Sequence, residues 1–121
     1  MPSIFEATAD KALGYVKGGA VTQSTNKSTG VTLNQPCGQI TLNNAALAAD
    51  AEVSFTVTNS FATAGDVVIV NHGSAGTAGA YLVQANLIAD GSFKITVSNV
   101  SAASKSEAIV LNYAIIKAAA A

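Results

Sequence analysis

From about Gly18 onward, apolar and polar residues alternate with a period of two along most of the chain, the pattern of strands buried on one face. Glu52–Thr58 reads EVSFTVT, which puts Val53, Phe55 and Val57 on one face and Ser54 and Thr56 on the other. Residues 92–98 (SFKITVS) repeat the device, with Phe93, Ile95 and Val97 inward and Lys94 and Thr96 outward. Residues 39–42 predict a short strand with Ile40 and Leu42 inward.

Two segments break the alternation. Residues 66–71 (DVVIVN) and 108–116 (AIVLNYAII) are apolar on both faces. That pattern fits central strands of a sandwich, or strands whose outer face meets another subunit. In the second, Ile109, Leu111, Tyr113 and Ile115 share one face, and Val110, Asn112, Ala114 and Ile116 the other. Residues 81–88 (YLVQANLI) form a further strand, with Tyr81, Val83 and Leu87 on one side. Turn residues separate these runs, and Asp90-Gly91 between two strand-like stretches is the strongest hairpin signal. Residues 43–50 (NNAALAAD) predict one helical turn, because Asn can cap it and Ala and Leu favour helix. The fold predicted is all-β: an antiparallel β-sandwich, jelly-roll-like, of about seven or eight strands, with a short N-terminal arm.

The first 17 residues stand apart from this pattern. Ile4, Phe5, Leu13, Tyr15 and Val16 are apolar without strand alternation, and a Gly18-Gly19 pair follows as a natural hinge. Residues 1–17 are read as an arm that docks on a neighbour, the alternative being a strand or turn that completes the domain. Residues 18–121 form the sandwich domain. At 121 residues the chain has the length of one domain.

Charge changes the picture more than length does. Only 11% of residues are charged, against about 25% in ordinary soluble domains. Such a surface suits subunit interfaces, because no charge is stripped of water when two surfaces meet. There is no Arg, and the six Lys are scattered, so no basic patch is available to neutralise phosphates and nucleic-acid binding is disfavoured. The N-terminus lacks a signal-peptide pattern. The apolar C-terminal run is too short to span a bilayer and carries Asn112 and Lys117. A single cysteine, Cys37, excludes an internal disulfide. Synthesis in the cytosol and no membrane partner are the expectations.

Candidate chemistry is sparse. His72 is the only His, and it lies in a Gly/Ser/Ala stretch that predicts an exposed loop; a nucleophile–base pair would need Ser, Thr or Cys37 beside it. No Cys-x-x-Cys, His-x-x-x-His or alternating Asp loop is present to hold a metal. Asp50 and Glu52 share a face if both lie on a strand, which more often marks a solvated strand entry than a site. Cys37 reads as a small buried apolar residue. Neither enzyme activity nor a cofactor is expected.

Several motifs carry a resemblance: Val21-Thr22-Gln23 with Lys27-Ser28-Thr29, Gly38-Gln39-Ile40-Thr41, Phe55-Thr56-Val57-Thr58-Asn59 and the ending over residues 104–116. Over residues 18–118 the chain resembles a β-domain widespread among tailed-bacteriophage structural proteins, both as a small virion protein and at the ends of tail or fibre proteins. The resemblance implies a homotrimer bound on a capsid or carried on a fibre, with no catalytic residues. Because the domain takes up nearly the whole sequence, the expectation is a capsid decoration (cement) subunit on the virion surface, with the major capsid protein as partner. The alternative is a fibre or head-fibre domain that recognises host-surface glycans. The expected assembly contacts are the arm (Ile4, Phe5, Leu13, Tyr15, Val16) and the C-terminal strand (Val110, Ile116).

Overall fold

The computed structural model describes Tyr15 and residues 18–118. The arm residues Ile4, Phe5, Leu13 and Val16 lie outside the described residues. Within them the protein is all-β, with eight strands and no helix: β1 (Gly19–Thr22), β2 (Val31–Thr32), β3 (Cys37–Thr41), β4 (Glu52–Thr58), β5 (Val67–Ser74), β6 (Tyr81–Ala89), β7 (Ser92–Asn99) and β8 (Val110–Ile116). They form two four-stranded sheets, ordered β1-β3-β8-β5 (sheet A) and β2-β4-β7-β6 (sheet B).

The inward faces predicted from alternation meet in one core between the sheets. Ile40, Ile109, Leu111, Tyr113 and Ile115 come from the side of sheet A, and Phe55, Val57, Phe93, Ile95 and Val97 from sheet B, all buried. Phe93 and Tyr113 touch across the sandwich, their ring centroids 5.6 Å apart. Aromatic and branched side chains carry the burial that the many alanines cannot.

The pairings β3–β8, β5–β8, β4–β7 and β6–β7 are antiparallel, as expected. Two edge pairings, β1–β3 and β2–β4, are parallel. The reason lies in the order of the chain. Its first four strands alternate between the sheets, so each parallel pair is joined through a strand of the opposite sheet, which supplies the crossover that parallel neighbours need. Only β6 and β7 form a tight hairpin, closed by Asp90-Gly91, with Gly91 at a φ of 85° that favours glycine.

Four local expectations give way to tertiary structure. Residues 43–50 hold no helical turn. Leu47 is buried and exchanges backbone hydrogen bonds with Lys105 (2.8 and 3.0 Å), so pairing with a distant segment overrides Ala/Leu propensity. Leu87 does not join Tyr81 and Val83 on the inner face. A register shift between Asn86 and Ala89, with Leu87 at φ 49°, turns its side chain to solvent and packs Ile88 against the core instead. The pair Gly18-Gly19 is a close-packing requirement rather than a hinge, since a β-carbon at Gly18 would lie 2.1 Å from the carbonyl oxygen of Cys37. Finally, β5 runs on to Ser74 and takes His72 into the sheet.

Buried polar side chains tie the loops to this framework. Gln23 donates to the carbonyls of Lys27 and Thr29 and accepts from the Asn43 amide. Asn59 donates to Gln35 and to the Tyr113 hydroxyl, and Asn99 donates to the carbonyls of Leu47 and Ala103. Lys27, 3% exposed, spends all three ammonium protons on the carbonyls of Asn43, Ala45 (2.8 Å) and Glu107 (2.9 Å). Several motif residues behind the phage resemblance (Gln23, Lys27, Asn59) thus hold loops in place, and each is satisfied internally.

Candidate functional site

The two outer faces of the sandwich differ in kind. On sheet B the outer face is polar and bonded to itself except at Leu82 on the edge strand β6, which is exposed. Ser54 meets Thr96 at 2.7 Å, and Asn86 donates to the same Thr96 hydroxyl at 3.0 Å, with Glu52 and Lys94 on the same sheet. Sheet A has no Lys, Asp or Glu in any of its four strands.

The register shows what this uncharged face displays. Val67 stands beside Ile116, Ile69 beside Ala114, and Asn71 beside Asn112, with Cys37 and Gln39 continuing the last two rows on β3. Val67, Ile69 and Ile116 are about half exposed, at 50%, 53% and 47%. Of the other exposed large apolar residues, Leu82 and Leu87 lie on β6 and Tyr15, Phe61 and Val100 outside the strands, so none shares these rows. Exposed apolar residues that adjoin one another form a candidate interaction surface, whereas isolated ones are ordinary.

Both C-terminal-strand residues expected at an interface lie on this face. Ile116 sits at its exposed end and Val110, half-buried, at the other, facing Thr41 and Ser74. Of the arm residues, Tyr15 alone is described. It is exposed, and its hydroxyl donates to the Ile115 carbonyl. The sequence did not single out Val67 and Ile69. The signal was the two-sided apolar pattern of residues 66–71, which fits a central strand equally well; the structure places β5 at an edge, with one apolar row uncovered.

A shallow open groove on this sheet is lined by Gly18, Gly19, Cys37, Gln39 and Asn112. In its floor the carboxamide oxygen of Asn112 is withdrawn from solvent and meets no hydrogen-bond donor among the described residues. Buried acceptors without a donor are few in native proteins, so this one stands out.

The C-terminal end of the face is anchored by an ion pair. Lys117 donates to Asp66 at 2.6 Å and to the Phe61 carbonyl at 2.8 Å, and Asp66 also accepts from the Thr63 amide at 2.9 Å. These bonds, that of Lys117 first, hold the Asp66 carboxyl down to about 2, from an ordinary 3.8. A carboxylate depressed in this way stabilises the fold fully above the ordinary value, and the contribution is lost as pH falls from about 4 through about 2. The melting temperature of the protein is therefore expected to decline over that window. Lys117→Met should flatten the decline, and equal acid slopes in the two proteins would refute the assignment.

The acidic residues, His72 and Cys37 do not converge into a catalytic or metal-binding group among the described residues. Asp66 and His72 stand at opposite ends of β5, about 20 Å apart along the strand. The His72 ring meets Tyr81 edge-on at 5.6 Å, and its Nε2 lies 2.6 Å from the Ala75 carbonyl and 3.1 Å from that of Ser74, so the ring braces its own turn. Asp50 is at φ 60°, outside the strand that begins at Glu52, and the two carboxylates do not share a strand face. Cys37 is half-buried on β3. Among the described residues, no group of three His, Cys, Asp or Glu is placed to hold a metal ion.

One cluster was not visible in sequence. Glu107 accepts from the Tyr81 hydroxyl (2.7 Å), the Thr77 hydroxyl (2.9 Å) and the Thr77 amide (3.1 Å). Burial, followed by the neighbouring carboxylate, pushes the Tyr81 phenol up, and the bonds from Tyr81 and Thr77 hold Glu107 below its usual range. The cluster fastens the loop after β5 to the segment before β8. Comparison with protein-family models, curated proteins and solved structures finds no match to this chain.

Proposed function

We propose that this protein is a non-enzymatic structural subunit of a bacteriophage virion, a capsid decoration (cement) protein that closes into a homotrimer and binds the major capsid protein across capsomer boundaries. The observation that supports this reading is the outer face of sheet A, four strands without a Lys, Asp or Glu and with Val67, Ile69 and Ile116 half exposed. Surfaces of this kind join with little desolvation cost, and several modest contacts made together add through multivalency. The resemblance over residues 18–118 supplies the virion context. In this reading the arm residues Ile4, Phe5, Leu13, Tyr15 and Val16 make a second contact, on the shell or on an adjacent subunit. Symmetric closure keeps the assembly from growing without limit.

Sedimentation tests the proposal. The purified protein should associate with rising concentration toward three copies and co-sediment with empty phage capsids. A chain that stays monomeric at all concentrations and ignores capsids would overturn it. Binding to a glycan array together with indifference to capsids would favour the fibre-domain alternative.

A further inference from the structure

The two sheets have four edge strands, and three of them are blunted. β2 has two residues and β1 four. β6 is long but broken, because the register shift between Asn86 and Ala89 and the positive φ of Leu87 interrupt its row of backbone groups. β5 is the exception. It has eight residues, and its pairing with β8 runs without a break from Val67 to His72. Residues 67–72 (VVIVNH) contain no Lys, Pro, Asp or Glu, the residues that discourage a further strand at an edge. Among the described residues, they make no backbone hydrogen bond outside the β8 ladder. Every second residue of this stretch therefore presents its N–H and C=O to the open side.

The rows of side chains beside this edge are unfinished too. On the outer face Val67 and Ile69 are about half exposed. On the inner face Val68 and Val70 are only partly buried, as are Val83 and Ala85 of β6 on the opposite sheet, whereas Leu111, Tyr113 and Ile115 of β8 are buried. The core is thus open along one side, and a strand added to β5 closes both rows. The edge itself specifies what fits. Only extended backbone satisfies alternating N–H and C=O groups, and both faces of the added strand meet Val or Ile side chains. β5 offers no Lys, Asp or Glu as a partner, so a charged strand would lose hydration without compensation.

From these observations we infer that β5 is a strand acceptor: an extended segment of a partner polypeptide, uncharged where it pairs and apolar on both faces, adds to residues 67–72 and lengthens sheet A. The site is continuous with the uncharged outer face, because Val67 and Ile69 belong to both. That β5 accepts a strand does not depend on the virion reading. The identity of the donor does rest on it: in that reading the segment belongs to the major capsid protein. Backbone hydrogen bonds then fix the direction and register of the subunit on the shell, which non-directional apolar contact does not do.

Amide hydrogen exchange, read by NMR on the full chain, tests the contact. The probe is a soluble peptide of alternating Val and Thr with a Lys at each end. With the edge about nine-tenths occupied, every second amide of residues 67–72 should exchange on the order of tenfold more slowly, while the amides already bonded to β8 stay as they were. Proline variants then separate edge from face. Of Val68→Pro and Ile69→Pro, one loses a hydrogen bond to β8 and melts lower, whereas the other keeps the ladder and removes an outward N–H. That second variant should bind the peptide, and empty phage capsids, about tenfold more weakly. No protection of these amides by the peptide would overturn the inference. Protection that rises with subunit concentration in the absence of peptide would also overturn it, and would assign the edge to a second copy. Capsid co-sedimentation that both proline variants retain would overturn it too, with the virion role left standing. Protection by the peptide without capsid co-sedimentation would uphold the acceptor edge and refute the virion role.

Discussion

A Lys27→Met variant is expected to lose about 3 kcal/mol of stability, with a fall in melting temperature of roughly 10 °C. Methionine keeps most of the length of the side-chain stem, so packing changes little. What disappears is the ammonium that donates to the carbonyls of Asn43, Ala45 and Glu107. Those acceptors come from two loops far apart in sequence, one between β3 and β4 and one before β8. Buried hydrogen-bonding groups left without partners cost about 1–3 kcal/mol each, and partial entry of water moderates the sum. Burial pushes the Lys27 ammonium down from its usual range, and Glu107 partly offsets this. Thermal or urea unfolding provides the measurement. A variant that melts within about 2 °C of the parent would show that the loops hold without the lysine.

The second large effect concerns assembly. Ile69→Glu/Ile116→Glu places two carboxylates on a face that has no cation in its strands to pair with them. Burying an unpaired charge at a contact costs several kcal/mol, and about 3 kcal/mol per contact weakens association roughly a hundredfold. The folded subunit should barely notice, since both side chains are about half exposed and Ile69 lies on an edge strand. Unfolding should shift by no more than about 1 kcal/mol. Sedimentation equilibrium and capsid co-sedimentation, read beside a melting curve, separate the two quantities. Unchanged association of a folded double variant would move the interface elsewhere, and the polar outer face of sheet B would be the next surface to test.

Strands β3 to β8 were legible in the sequence because their cause is local. Alternating side chains point to opposite faces, so Phe55, Phe93 and Ile95 announce a buried row wherever the strands end up. The hairpin at Asp90-Gly91 was legible for the same reason, being a property of two residues and their neighbours. Leu87 was not, because the register shift that turns it outward belongs to the β6–β7 pair and not to β6 alone. The candidate face was half legible. Val110 and Ile116 followed from the two-sided apolar pattern of β8, but nothing in residues 66–71 distinguishes a central strand from an edge strand with one row uncovered.

What the sequence determined by itself is therefore the kind of protein this is: an all-β domain with branched and aromatic side chains in its core, low in charge, and with its few reactive groups scattered. Tertiary structure alone decided which surface is left over and what secures the loops. Sheet order puts β5 at an edge, which exposes Val67 and Ile69 beside Ile116, and the folded loops gather three carbonyls around Lys27. The physical reason is range. Side-chain alternation is set by adjacent residues, whereas an uncovered face and a buried ammonium depend on which distant segments meet.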